Sequence, residues 1–101
     1  MRIILSAKAE QDLNSLFEYI NNNLPNGIAA HTIVEKILRL SQKLSTFPEM
    51  GASLKTIDNR LDGYRYLIAD NYLLIYKITD AEVFIMRILY AKSDYVQLLR
   101  G

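Results

Sequence analysis

Cysteine is absent from this chain. That excludes a disulfide framework and thiolate chemistry. Long apolar runs are also absent: none reaches the roughly 18 residues that a membrane span requires. The apolar opening, Ile3–Leu5, is too short for a signal peptide, and acids follow at once at Glu10 and Asp12. The expected location is the cytoplasm, with no membrane partner. An excess of one charge is missing as well. Twelve Lys and Arg face eleven Asp and Glu, for a formal net charge of +1. This is a poor balance for a protein that binds nucleic acid mainly through phosphates, because neutralised phosphates supply most of that affinity. The single histidine, His31, falls in a helical stretch, where a contact role outweighs a catalytic one. No metal-ligand cluster, glycine-rich phosphate loop or Ser-His-Asp set is present, so no metal, cofactor or small-molecule substrate is expected.

What remains is a globular composition. Half of the 101 residues are hydrophobic and 23% are charged, enough for one domain, residues 1–101, around one modest core. Its centre is the stretch from Gly63 to Tyr95. Three runs rich in β-branched and aromatic residues, Tyr64–Ala69, Tyr72–Ile78 and Glu82–Tyr90, are split by Asp70-Asn71 and Thr79-Asp80-Ala81. Loops this short require antiparallel neighbours, so the three runs form a meander.

Before it, Arg2–Leu5 reads as a strand that pairs at long range with this sheet. Ser6 is a helix N-cap, followed by an apolar stripe at Ala9, Leu13, Leu16, Phe17, Ile20 and Leu24. Asn21–Asn23 and Pro25 end that helix, and Pro25-Asn26-Gly27 is a tight turn. A second helix is expected over 28–47, with a stripe at Ile33, Ile37, Leu40, Leu44 and Phe47 and another at Ala30, Val34 and Leu38. Pro48 ends it, Gly51 offers positive φ in the loop, and Leu54–Ile57 is a candidate short strand. A last helical turn falls at Asp94–Leu99. The fold class is α+β: an N-terminal strand, then an antiparallel helical hairpin on one face of a small, mostly antiparallel sheet.

Alternation puts Val83, Ile85, Arg87 and Leu89 on one face of the last strand, and Phe84, Met86, Ile88 and Tyr90 on the other. Both faces are apolar. Either the second face is open to a partner, or the C-terminal turn (Tyr95, Leu98, Leu99) folds over it.

The ordered set Ser6-x-x-Ala9-x-x-Asp12-Leu13, Tyr19-Ile20, Leu44-x-x-x-Pro48-x-x-Gly51, Gly63-Tyr64-Arg65, Tyr72–Tyr76, Val83-x-Ile85-x-Arg87-Ile88-Leu89-Tyr90 and Lys92–Tyr95 resembles the RelE/ParE superfamily of bacterial toxins of type II toxin–antitoxin systems. The resemblance implies a toxin silenced by a cognate antitoxin. It implies one of two activities, RelE-like cleavage of mRNA in the ribosome or ParE-like poisoning of DNA gyrase by binding, with an inactive relative that only binds the antitoxin as a further alternative. Cleavage needs help for the attacking 2′-hydroxyl, cations on the phosphorus and a proton for the leaving oxygen. Of the basic set that the RelE-like branch places on the meander, this chain keeps Arg65, Arg87 and Lys92, with Tyr95 beside them. Positions basic in that branch fall on Leu67 and Leu73. The thin set favours the ParE-like branch, with Tyr72, Tyr76, Tyr90, Lys92, Asp94 and Tyr95 as partner-binding candidates, since tyrosine is enriched at interfaces.

Overall fold

The computed structural model describes residues 1–23, 27–93 and 95–100. Strand β1 (Arg2–Leu5) leads into helix α1 (Ala7–Asn23) and helix α2 (Ile28–Lys43). Strand β2 (Ala52–Ser53) and two 3₁₀ turns (Leu54–Thr56 and Asn59–Leu61) follow. The meander is β3 (Tyr64–Ala69), β4 (Tyr72–Ile78) and β5 (Glu82–Tyr90), and helix α3 (Tyr95–Arg100) closes the described chain. Among the described residues the sheet order is β1-β5-β4-β3-β2. The β1–β5 pair is parallel and the other pairs are antiparallel. The α+β class, the N-terminal strand, the helix pair and the meander bounds stand as the sequence implies.

Ser6 joins the first two layers. Its Oγ accepts the Ala9 N–H at 3.0 Å, which caps α1, and donates to the Met86 carbonyl at 2.7 Å. One face of the sheet carries Ala69, Leu74, Tyr76, Val83, Ile85 and Ile88 under Ala9, Leu16, Ile20, Ala30, Ile37 and Leu44. The helix stripes are thus mostly core, but Leu38 and Phe47 are exposed. Helix α2 stops at Lys43, and tighter turns carry the chain through Leu44, Ser45 and Thr46. Phe47 is thereby rotated out of the stripe and left 64% exposed.

Residues 54–57 form a 3₁₀ turn rather than a strand. Ser53 caps it, its side chain accepting the Lys55 N–H, and the two-residue β2 lies just before it. Gly51 is needed for space rather than for positive φ. A Cβ there would stand 2.6 Å from Tyr76 Oη and 2.7 Å from the Tyr66 carbonyl. Leu24, the last position of the α1 stripe, and Pro25 and Asn26 of the turn at 25–27 lie outside the described residues.

The strict alternation expected for β5 fails at one point. Register runs Ile75↔Arg87 and then Tyr76↔Ile85, so Met86 is an extra residue, a β-bulge. Beyond it the parity flips: Ile88 joins the helix-covered core and Leu89 joins the opposite cluster. That second cluster settles the question of the other face. Leu54 and Leu61 from the 3₁₀ turns and Tyr95 and Leu99 from α3 pack with Leu73, Ile75 and Leu89. The C-terminal segment folds back over the sheet, as one of the two sequence alternatives has it, so that face is not an open platform.

Candidate functional site

Arg65 sits on β3, opposite Tyr76, which is opposite Ile85. Directly opposed residues share a face, so Arg65 belongs to the helix side. Its Nη1 donates to the Gly51 carbonyl at 2.7 Å and to the Glu49 carbonyl at 3.4 Å. Arg87 sits opposite Ile75 and lines a hollow with Tyr64, Met86, Leu98 and Leu99, on the α3 side. Its guanidinium donates to Asp12 of α1: Nε to Oδ2 at 2.8 Å and Nη2 to Oδ1 at 3.0 Å. Both side chains are mostly buried, and the hydrogen bond to Asp12 raises the guanidinium pKa further. Arg87 is thus a mostly buried, paired structural arginine. The two arginines therefore leave opposite faces of the sheet, each held by a structural acceptor. Lys92 stands apart again, exposed in the turn after β5. Tyr95 faces inward with the second cluster.

The partner-binding candidates also divide. Tyr76 is fully buried; its Oη donates to the Pro48 carbonyl at 2.7 Å and accepts the Gly51 N–H at 3.0 Å. It pins the loop and is unavailable to any partner. Tyr72 is half-buried, with its ring centroid 5.8 Å from that of Tyr90, which is 46% exposed. Burial raises the Tyr72 phenol pKa, and the nearby Tyr90 and Tyr19 add to the shift. Tyr19 of α1, not among the sequence candidates, joins this aromatic patch from the helix layer and is 67% exposed. Its place four residues after Ser15, on the polar side of the α1 stripe, was the available signal. Asp94 lies outside the described residues. His31 makes an edge contact with Phe17 at 5.1 Å, which ties the helices together. No helix of the described residues is long and apolar enough to cross a membrane.

What this arrangement offers is surface: exposed tyrosines at one end, and exposed Phe47 and Met50 in the loop after α2. Comparison with family models shows the family. A family model described as the ParE toxin of the type II toxin–antitoxin system parDE matches residues 3–95. The chain belongs to the ParE toxin family. Solved structures of similar fold include a chromosomal ParDE system from P. aeruginosa, at TM-score 0.76 and 20% identity, covering 91% of this chain and 97% of that one. A YoeB/ParE toxin from Agrobacterium tumefaciens follows at TM-score 0.62 and 14% identity, covering 89% and 98%. A YafQ mutant from E. coli has TM-score 0.56 and 18% identity over the whole of both chains. At these identities the structures speak for the RelE/ParE fold alone. A sequence search among curated proteins finds no match.

Proposed function

We propose that this ParE-family chain is held silent by a cognate antitoxin and acts by binding and poisoning DNA gyrase. The observation that supports binding over RNA cleavage is the scattering of the cations. Arg65 is tied to the Gly51 and Glu49 carbonyls on one face, and Arg87 to Asp12 from the other. A ribonuclease needs its cations converging on one phosphate, whereas these two are committed to holding a loop and a helix in place. The exposed tyrosines Tyr19 and Tyr90 suit a protein partner.

Two assays test the reading. Purified protein added to a gyrase supercoiling reaction is expected to trap cleaved DNA, and a translation extract is expected to show no new mRNA ends. Codon-linked mRNA cuts with gyrase unaffected would reverse the assignment to the ribosome-dependent endonuclease alternative. Coexpression with the adjacent small gene is expected to restore growth.

A further inference from the structure

The loop that follows α2 is held more firmly than a surface position requires. The Phe47 N–H donates to the Lys43 carbonyl at 2.9 Å, and the Met50 N–H to the Phe47 carbonyl at 3.2 Å. Tyr76 Oη donates to the Pro48 carbonyl and accepts the Gly51 N–H. Arg65 Nη1 donates to the Gly51 carbonyl and, at longer range, to that of Glu49. Gly51 packs so closely that a Cβ has no room. Two side chains of the central sheet are thus devoted to fixing one short loop.

What this fixed loop displays is apolar. Phe47 is 64% exposed and Met50 42%. Met1, also exposed, is tied to Ser45, two residues before Phe47: Ser45 Oγ donates to the Met1 carbonyl at 2.7 Å. Single exposed apolar side chains are ordinary, but several grouped around one rigid loop form a patch. Phe47, Pro48 and Met50 also border an open hollow of about 570 Å³, with Lys43, Thr46 and Glu49 completing its lining. The patch therefore carries both a projecting ring and a hollow to receive one.

Its charges have the same double character. Lys43 and Glu49 flank Phe47 along the chain, and among the described residues neither forms an ion pair. A partner of one charge sign would be matched at one of these positions and opposed at the other. A second copy of the chain, turned about a two-fold axis, is matched at both, because each contact in such a pair is made twice.

We propose that the loop Phe47–Met50 is a self-association surface through which two copies of this chain pair about a two-fold axis. Phe47 of each copy enters the hollow of the other, and Lys43 of each meets Glu49 of the other. Six lining residues a side fall well below the roughly 20–30 of a standard interface, so the pair is reversible, dissociating at about 10 µM or above. Preorganisation offsets part of that deficit, since a loop already fixed by Tyr76 and Arg65 loses little freedom on pairing. The contact is independent of the function proposed above: neither antitoxin nor target takes part in it.

Sedimentation equilibrium of the full chain from about 1 µM to about 1 mM tests the surface. A concentration-dependent monomer–dimer equilibrium is expected. Phe47→Ser is expected to weaken it about tenfold or more. Lys43→Glu alone and Glu49→Lys alone each set like charges against one another twice, and each is expected to weaken pairing several-fold. Mixed one to one, the first variant offers two carboxylates and the second two cations. Both contacts are then between opposite charges, and the mixed pair is expected to recover the parent's affinity. All three positions are exposed, so the fold is retained. A chain that stays monomeric to about 1 mM overturns the proposal. So does a dimer that Phe47→Ser leaves intact, or a mixture of the two charge variants that associates no better than either alone.

Discussion

Asp12 of α1 and Arg87 of β5 are 75 positions apart and form a two-armed ion pair, and the same carboxylate accepts the Ile88 N–H. One side chain therefore neutralises an arginine, seals the edge of β5 where β1 ends and anchors the first helix to the sheet. Asp12→Ala leaves a mostly buried guanidinium and a backbone N–H without their acceptor. Breaking such a pair from one side costs about 2–4 kcal/mol. Urea unfolding is expected to show a loss of that size. Arg87→Met combined with Asp12→Leu should recover a good part of it, since replacing both partners leaves no buried charge. A single variant as stable as the parent contradicts the account.

Tyr76 and Gly51 make a second prediction. The phenol bridges the Pro48 carbonyl and the Gly51 N–H. Tyr76→Phe leaves a buried N–H unpaired, at a cost of about 1–3 kcal/mol. Burial is the largest influence on the phenol and raises its pKa above the ordinary 10.0, and the Gly51 hydrogen bond opposes it only in part. The folded state then holds a proton that the unfolded chain releases. Stability is accordingly intact below pH 10, the unfolded value, and falls as pH rises above it. Tyr72 acts in the same direction. Denaturant midpoints across the alkaline range should decline for the parent and decline less for Tyr76→Phe. A flat parent profile would contradict the buried phenol.

The third prediction concerns activity. Arg65 holds the loop at Glu49–Gly51, and Lys92 is exposed in the turn after β5. Arg65→Ala should lower the melting temperature by a few degrees, about 1 kcal/mol in a domain of this size, and Lys92→Ala should leave it unchanged. Growth arrest on induction should persist in both variants at a temperature where each is folded. Loss of arrest in Lys92→Ala with the fold intact would make Lys92 part of the activity, and parent-dependent mRNA ends that vanish in this variant would point back to nuclease chemistry.

Much of the fold was legible because it is local. Two- and three-residue loops fix the meander, and the apolar spacing of α1 fixes its inner face. The misreadings have a common cause. The bulge at Met86 is an insertion relative to β4, visible only when two strands are aligned, yet it reverses the inward set of everything after it. Phe47 continues a helical period that the backbone abandons at Lys43. Tyr76 looked like an interface residue because composition counts tyrosines without knowing which ones find hydrogen-bond partners inside. Arg65 and Arg87 sit on strands of one meander, but strand parity, corrected for the bulge, decides that they part. Residue type proposes a site, and register across strands disposes it.

The last prediction follows from the second cluster. Tyr95 and Leu99 of α3 pack against the cluster formed by Leu54, Leu61, Leu73, Ile75 and Leu89. α3 has six residues, too few to be stable as an isolated helix, so this contact is what holds it. Tyr95→Ala and Leu99→Ala together remove two apolar anchors while leaving the helix-covered core untouched. The cost to global stability is modest, about 2 kcal/mol, because both side chains are only partly buried. The local effect is larger: the second face opens while the first stays closed. Amide exchange should accelerate in 91–100 and on β4 at Leu73 and Ile75, with α1 and α2 unchanged, and binding of a hydrophobic dye should rise. Dye binding and exchange identical to the parent would mean that the face is covered without these two residues, and the packing described for the second cluster would be wrong.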